Sequence, residues 1–194
     1  LADGRTGLQI KERIEIEIRA GEDGQLREEP DIQVARGFRD LCVERSVQPQ
    51  HAGCDATGTG RGVFAFLSVL WSPEVLRFEA ASSPSSTLVL DGDPKPACEL
   101  YLNKVTESWV FVASLVRSGQ LKGLPQAAKV EFTTRTFHDK LVRGLRRLED
   151  KDDFKDRYGH SPDDADAVAG LGEVGKARLG LELVGQAAST SATT

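Results

Sequence analysis

A short acidic stretch toward the C-terminal end constrains the local structure of this chain more than any other segment. Residues 159–169 read GHSPDDADAVA. Proline is favoured in the first turn of a helix, and Asp is favoured there because free N–H groups and the helix dipole attract negative charge. Asp163, Asp164 and Asp166 are more acids than one cap requires, and concentrated carboxylates suit a hard cation such as Mg²⁺. The stretch therefore predicts a helix start whose acids are either solvated caps or metal ligands.

Length and composition indicate one domain with or without a tail. The chain has 194 residues, of which 39% are hydrophobic, and a net charge of −5, which excludes a uniform nucleic-acid-binding coat but allows a local basic groove. No run approaches the roughly 20 apolar residues of a membrane helix. Cys42, Cys54 and Cys98 lack CxxC spacing, which favours reduced thiols over disulfides or a zinc site. We expect one domain over residues 1–184 and a disordered, low-complexity tail over residues 185–194.

Strand and helix patterns alternate along the first half of the chain. Residues 8–19 alternate β-branched and polar residues, which predicts a strand. Residues 31–45 have apolar side chains at helical spacing, with Asp31 as the predicted N-cap. The further predicted elements are a buried strand over 51–54 that ends at Asp55, a glycine loop over 56–62, a helix over 63–71, a strand over 75–80 and a loop over 82–96.

The second half of the chain is richer in helical patterns. Residues 98–117 carry apolar side chains at helical spacing and precede Gly119, which predicts one continuous helix. Because strands and helices alternate along the whole chain, an α/β sheet is the expected architecture. The remaining predictions are a helix or a strand over 126–137, a helix from the spacing of Leu141, Leu145 and Leu148, a charged segment over 151–157 and a helix over 164–171.

Asp55 is a second candidate site residue. It follows a predicted buried strand and precedes a tight turn into a helix, which is where open α/β sheets place their ligands. The loop TGTGRG over residues 57–62 lacks both the Lys-Ser/Thr of a P-loop and the GxGxxG spacing, so a nucleotide site is not favoured. The alternative is a strand–turn–helix corner in which Asp55 is a cap. The acids that begin at Asp163 do not follow an EF-hand loop, and taken alone they are explained as caps and solvated charge.

A basic segment between positions 140 and 157 is a candidate nucleic-acid-binding strip. A basic stretch within an acidic protein can contact phosphates. Acidic residues are interleaved with it over 149–153, so a solvated charged surface is the simpler interpretation when the segment is taken alone. The basic residues are Lys140, Arg143, Arg146, Arg147, Lys151, Lys155 and Arg157.

Taken together, these segments resemble the nuclease domain of phage large terminases, the motors that package viral DNA. The sequence CDATGTG over residues 54–60 is similar to the second acidic motif of that family. NKVTESW over 103–109, followed by RSGQLKGLP over 117–125, resembles its middle helix and the turn after it. SPDDADA over 161–167 resembles its third acidic motif. These matches occur in the family's order and extend over roughly residues 8–171.

The resemblance implies an RNase H-like fold, in which a mixed sheet is flanked by helices and acids gather at strand ends. It also implies two-metal hydrolysis of phosphodiester bonds, with Mg²⁺ or Mn²⁺ ions about 4 Å apart. Asp55 and Asp163 would be the catalytic metal ligands. Asp164 and Asp166 would support them from outer positions, and Lys151 would be a cation near the scissile phosphate. The implied partners are double-stranded DNA, a portal protein and a small terminase subunit, in the cytoplasm of an infected bacterial host.

The resemblance replaces the helix predicted from the leucine spacing by a strand, and it leaves the first acid of the family without a counterpart in this sequence. Residues 141–151 are expected to be a strand in this family, which replaces the helix suggested by the leucine spacing. The family's first acid lies on an N-terminal strand, and Asp3 is in a loop-like setting, so we expect a nuclease domain whose first acid precedes this sequence. The leading hypothesis is a DNA endonuclease domain that cuts concatemeric phage DNA. The alternatives are a non-catalytic DNA-binding or packaging module and another RNase H-like nuclease of the resolvase or transposase type.

Overall fold

The computed structural model shows short parallel strands and a larger number of helices. The residues described are 6–7, 12, 14–23, 25–90 and 92–180. The elements in chain order are β1 (Thr6–Gly7), α1 (Pro30–Glu44), a 3₁₀ turn (Pro49–His51), β2 (Gly53–Asp55), α2 (Gly60–Leu70), β3 (Leu76–Phe78), α3 (Ala97–Leu100), α4 (Lys104–Arg117), β4 (Leu121–Lys122), α5 (Gln126–Thr134), α6 (Lys151–Tyr158) and α7 (Asp163–Leu179).

The chain divides into two compact units, each of which is described by itself. Of the described residues, unit 1 contains 6–7, 82–90 and 92–169, and unit 2 contains 12, 14–23, 25–81 and 170–180. The expected tail over 185–194 lies outside the described residues. No helix in the described part of the chain is long and apolar enough to cross a membrane.

Unit 2 consists of helices packed beside a pair of parallel strands. Strands β2 and β3 pair in parallel, with Asp55 opposite Phe78 at the carboxyl end. Helices α1 and α2 pack against each other, and α2 also packs on β2. Ala35, Leu67 and Val75 are the buried centre of this core. Burying such apolar side chains away from water is the main favourable contribution to folding.

Helix α1 begins one residue earlier than the sequence predicted. Pro30 occupies the first helical position and Glu29 is the extended residue before it, whereas Asp31, the predicted N-cap, lies inside the first turn. The proline ring fixes φ near its helical value and has no N–H group to satisfy, so the proline itself sets the start of the helix. Asp31 contributes through the favourable charge of a carboxylate in the first turn.

Unit 1 is organised around α4, which is buried on most of its surface. Trp109, Val112 and Leu115 are at most 4% exposed, and the Trp109 ring lies 4.5 Å from the ring of Phe132, between centroids. Helix α4 therefore contacts α5 through this ring pair. The segment 126–137, for which the sequence left helix and strand open, is a helix over Gln126–Thr134. The parallel pair of β1 and β4 also belongs to this unit.

The strand predicted over residues 8–19 is wrong where the structure describes that segment. Residues 12 and 14–19 form no strand, and the other positions of the segment lie outside the described residues. The side-chain amide of Gln33 accepts a hydrogen bond from Glu17 N at 2.8 Å and donates one to Glu17 O at 2.8 Å. The Gln33 side chain of α1 thus satisfies the backbone N–H and C=O of Glu17, the groups that a neighbouring strand would otherwise pair with.

The single helix predicted over residues 98–117 is also wrong, because it is interrupted. Helix α3 ends at Leu100, and the backbone around this point pairs with Arg146: Arg146 N donates to Leu100 O and Leu102 N donates to Arg146 O, both at 2.8 Å. Asn103 then caps α4 by accepting from Thr106 N at 3.2 Å. A tertiary backbone contact and a strong capping residue together outweigh the helical spacing.

The segment that contains Leu141, Leu145 and Leu148 is a hairpin rather than a helix. Val142 and Leu145 exchange backbone hydrogen bonds of 2.9 and 3.0 Å, and the two residues between them have positive φ, as the tight turn of a hairpin requires. Leu148 is bridged to Phe137 in antiparallel fashion. The strand that the resemblance implied over residues 141–151 is also wrong, because this segment makes only isolated bridges around the turn and α6 begins at Lys151.

Candidate active site

Asp55 lies at the carboxyl end of β2 in unit 2, and its side chain is exposed. Its Oδ1 accepts a hydrogen bond from Thr57 N at 2.9 Å, which closes a turn immediately after the strand. Thr59 is the residue before α2, so Asp55 caps the turn, as the strand–turn–helix alternative predicted, and not the helix itself. Asp55 is therefore a carboxylate that a local turn holds at a strand end, accessible to solvent.

The turn after Asp55 depends on close backbone packing. Ala56 N donates to Phe78 O at 2.7 Å, and Ala80 N donates to Thr57 Oγ1 at 3.2 Å, so the loop is attached to the residues around β3. Burial, followed by the nearby Asp55 charge, raises the pKa of the Cys54 thiol to about 11. Cys54 is a neutral core side chain at neutral pH, which leaves the neighbouring carboxylate as the chemically available group.

The acidic stretch starts helix α7 in unit 1, as the sequence predicted, but a distant carboxylate provides its cap. Asp163 is exposed at the first position of the helix. Ala165 N donates to Oε2 of Glu131 at 2.6 Å, across 34 positions of sequence. Glu131 comes from α5 and is only 3% exposed. Glu131 therefore satisfies an N–H group in the first turn of α7, while Asp163 is at the surface.

Glu131 is a site residue that sequence reasoning missed. Burial raises its pKa, the hydrogen bond from Ala165 opposes that rise, and the nearby Asp164 carboxylate adds to it. The ring nitrogen Nδ1 of His160 lies 3.8 Å from Glu131 Oε1. The helical spacing of Ala128, Glu131 and Arg135 on one face of α5 was the only available signal, and it required the segment to be assigned as a helix first.

Asp166 has different surroundings from Asp163, although both are in the first turn of α7. Its Oδ1 accepts from Trp109 Nε1 at 3.0 Å and from Arg135 Nη1 at 3.1 Å, and its Oδ2 lies 2.6 Å from Lys151 Nζ. The Asp166 side chain is only 11% exposed. Asp166 is therefore a buried carboxylate that joins α4, the end of α5, α6 and α7 within unit 1.

Arg135 and Lys151 approach Asp166 in different ways. Arg135 is buried and its guanidinium lies 4.9 Å from the Trp109 ring centroid, a cation–π contact. Burial lowers the pKa of Arg135, while Asp166 acts in the opposite direction by favouring the charged form. The Lys151 side chain is 44% exposed, so its ammonium is held at one end by Asp166 and remains accessible to solvent.

Some residues of the predicted basic strip form intramolecular ion pairs, and others are exposed to solvent. Arg157 forms a two-pronged hydrogen bond with the buried Glu149, and that bond lowers the pKa of Glu149. Arg147 forms an ion pair with Asp150. The strip residues that are exposed, with no ion pair formed within the described part of the chain, are Lys140, Arg143, Arg146 and Lys155.

Each of the two predicted metal ligands, taken singly, suits a hard divalent cation. Asp55 and Asp163 are both exposed carboxylates at the end of an element, and oxygen ligands of this kind suit Mg²⁺ and Mn²⁺. Asp164 is half-buried in the same helical turn as Asp163. Asp166 does not fit as well, because Arg135 and Lys151 already neutralise it. Asp55 belongs to unit 2 and the other three acids belong to unit 1.

Comparison with solved structures defines the class of fold. No protein-family model and no curated protein sequence matches the chain. The structure matches a nuclease domain, with an RNase H-like arrangement of strands and helices, so the predicted fold class is confirmed. The particular protein it is similar to is the nuclease domain of the large terminase subunit gp2 of bacterial virus Sf6. The TM-score is 0.59 at 16% identity, over 73% of this chain and 71% of that chain.

A second solved structure gives the same result. It is a lysine-to-alanine variant of the same Sf6 nuclease domain, described with manganese, and it matches with a TM-score of 0.58 at 16% identity. The match covers 73% of this chain and 72% of that chain. The chain therefore has the fold of a terminase nuclease domain, in agreement with the resemblance in sequence.

Proposed function

We propose that this chain is the metal-dependent endonuclease domain of a viral DNA-packaging terminase, which cleaves concatemeric double-stranded DNA. The observation that carries the proposal is the structural match to the Sf6 terminase nuclease domain, one form of which is described with manganese. At the residue level, Asp55 supports it because an exposed carboxylate at the carboxyl end of a parallel strand is where such a fold places its ligands.

In this proposal Asp55 and Asp163 are the catalytic metal ligands for Mg²⁺ or Mn²⁺. Bound there, such ions would supply an activated water and would stabilise charge on the leaving oxygen of the cleaved strand. The turn that Thr57 closes on Asp55 holds this carboxylate in one orientation. Asp163 is the first residue of α7 and is exposed to solvent. Each carboxylate thus lies at the end of an element of its own unit.

Lys151 is proposed to bind the phosphate of the DNA strand, and Asp166 is proposed to orient it. The 2.6 Å ion pair fixes the ammonium of Lys151 while nearly half of its side chain stays exposed. Asp164 is proposed to add negative potential beside Asp163 in the first turn of α7. These roles follow from the contacts of each side chain and from the charge that a phosphodiester substrate carries.

The exposed basic residues are proposed to bind the DNA backbone. Lys140, Arg143 and Arg146 surround the hairpin turn between Val142 and Leu145, where long cationic side chains can reach phosphates. We expect weaker DNA contacts from Arg147 and Arg157, because intramolecular ion pairs already engage both side chains. Lys155 is exposed on α6 and would add a further phosphate contact.

The proposed partners are the portal protein and the small terminase subunit, and the proposed location is the cytoplasm of the infected bacterial host.

Plasmid nicking tests the proposed activity. We expect cleavage in Mg²⁺ or Mn²⁺ by the 194-residue chain. Asp55→Asn and Asp163→Asn should each reduce the rate by about 100-fold or more, because a ligand charge is lost without a change in shape. Asp152→Asn removes an exposed carboxylate from α6 and is the matched control. Equal cleavage by all three variants, or none by the wild-type chain, contradicts the proposal.

A non-catalytic DNA-binding module is the second candidate. The observation that favours it is the neutralisation of Asp166 by Arg135 and Lys151, which removes one acid of the α7 cluster from metal binding. Calorimetry with Mn²⁺ separates the two candidates. Loss of part of the Mn²⁺ heat in Asp55→Asn and Asp163→Asn supports the nuclease, whereas DNA binding with the same heat in the wild-type chain and in both variants supports the module.

A further inference from the structure

A second group of metal-ligating side chains lies in unit 1, apart from the acids of the proposed nuclease site. One ring nitrogen of His138 and one carboxylate oxygen each of Asp150 and Asp153 lie within 4.8 Å of one another. His138 follows α5 on the chain segment that is bridged to Leu148, and the two acids lie at the start of α6. From this group we propose a binding site for one divalent transition-metal ion, ligated by His138, Asp150 and Asp153.

The histidine makes this cluster more than a set of helix-start acids. Carboxylates at a helix N-terminus are favoured by the helix dipole alone, so Asp150 and Asp153 by themselves indicate no ligand. The Nε2 atom of His138, however, is buried and has no hydrogen-bond partner among the described residues. A buried polar nitrogen without a partner carries a free-energy cost, and coordination to a metal ion removes that cost.

The backbone on both sides of the group is fixed. His138 N donates to Arg147 O at 2.9 Å, and Phe154 N donates to Asp150 O at 3.0 Å in the first turn of α6. Atoms that bind one ion at about 2.1 Å are at most about 4.2 Å apart. The three ligand atoms, which lie within 4.8 Å of one another, therefore need to come only slightly closer to bind one ion.

The ligand types select the class of ion. Imidazole nitrogen suits first-row transition ions, whereas Mg²⁺ and Ca²⁺ prefer oxygen alone. One nitrogen and two carboxylates therefore favour an ion such as Mn²⁺ or Zn²⁺, with water completing the coordination. Arg147, which forms an ion pair with Asp150, is the group that competes with the ion for this carboxylate.

Titration with Mn²⁺ tests the proposal. Mn²⁺ is the better probe because Cys42, Cys54 and Cys98 are free thiols that would compete for Zn²⁺. The full chain carries Asp55→Asn and Asp163→Asn, which removes the proposed nuclease ligands and leaves the new site intact. Calorimetry then gives the number of ions and their affinity. We expect one ion bound to this variant, so the result is independent of the proposed nuclease activity.

Two further variants and two matched controls complete the experiment. His138→Gln and Asp153→Asn, each added to that background, should weaken Mn²⁺ binding about tenfold or more. His51→Gln and Asp152→Asn change an exposed histidine and an adjacent exposed acid, and should leave the affinity unchanged. Asp153 is exposed, so its variant keeps the fold, as circular dichroism can verify. No binding at millimolar Mn²⁺, or equal affinity in all four variants, overturns the proposal.

Discussion

Asp163 and Asp166 are three positions apart on one helix and have opposite environments. Asp163 is exposed, whereas Trp109 of α4, Arg135 just after α5 and Lys151 of α6 surround the carboxylate of Asp166. A carboxylate removed from water is tolerated when it is paired and hydrogen-bonded: Asp166 Oδ1 accepts two hydrogen bonds, and Oδ2 is held by the ion pair with Lys151 alone. Its contacts support a structural and positioning role, which leaves the solvent-facing Asp163 as the better candidate for metal binding.

Gly60 packs directly against the backbone of Asp55, where there is no room for a side chain. A Cβ atom at position 60 would overlap the carbonyl oxygen of Asp55, a backbone atom that cannot move independently of the turn. We expect Gly60→Ala to lower the free energy of unfolding by about 1–3 kcal/mol, as overpacking does. Urea denaturation monitored by circular dichroism measures this change.

Gly58→Ala is the control for the glycine prediction. Gly58 lies in the same loop with φ +57, and no atom of the described residues lies within 4 Å of the place that its Cβ would occupy. The substitution therefore introduces only the strain of a positive φ, which costs about 1 kcal/mol. Equal destabilisation by the two substitutions would show that close packing on Asp55 is not what position 60 requires.

Helix α7 shows how one element depends on another for its start. Sequence places Pro162 and three acids at its first turn, yet its Ala165 N–H donates to Glu131 of α5. Glu131 Oε2 thus satisfies one of the N–H groups that every helix leaves open at its N-terminus. An acid from another helix, and not one from the stretch itself, therefore satisfies this N–H group.

The raised pKa of Glu131 predicts a pH dependence of stability. Because the folded state holds the Glu131 proton more tightly than the unfolded state does, folding is favoured at low pH. This contribution is lost as pH rises from the ordinary value of 4.5 through the raised pKa. Glu131→Gln keeps an acceptor oxygen without the charge. Relative to wild type, its free energy of unfolding should therefore increase as pH rises through this window.

Thermal or urea unfolding at a series of pH values measures that difference. Glu99→Gln, which removes a surface carboxylate from α3 in the same unit, is the control for a change in net charge. A difference between wild type and Glu131→Gln that stays flat or decreases with pH would mean that burial of the charged form is not costly at this position.

Across the chain as a whole, a net charge of −5 coexists with a basic hairpin. Each phosphate that a protein neutralises on B-DNA contributes about −0.9 to the slope of log affinity against log salt. Arg143→Ala with Arg146→Ala should therefore reduce the magnitude of that slope by about 1–2. Fluorescence anisotropy with duplex DNA over a range of salt concentrations measures it.

Arg36→Ala is the matched control for the DNA-binding prediction. It removes the same kind of charge from α1 of unit 2, where Arg36 forms an ion pair with Glu28 outside the basic strip. Its salt slope should equal that of the wild-type chain. If the control and the hairpin variant change the slope equally, the contribution of the hairpin is only a general effect of net charge.

Local chemistry explains which elements could be predicted. Helix α2 and the strands β2 and β3 lie close to their predicted positions, because apolar spacing and turn residues act within a few neighbouring positions. The helix interruption after Leu100 could not be predicted in this way, since backbone pairing with Arg146 causes it. The hairpin over Val142–Leu145 was missed for the same reason, as leucines at helical spacing do not exclude a turn.

The order of amino acids is enough to set where α7 begins, because proline geometry and first-turn carboxylates are local properties. It is also enough to place Asp55 at the end of a strand. The roles of the charged groups depend instead on tertiary contacts: Ala165 meets Glu131 across 34 positions, and Trp109 meets Asp166 across 57. The physical reason is that burial and charge pairing depend on which distant segments meet, and no local pattern encodes that.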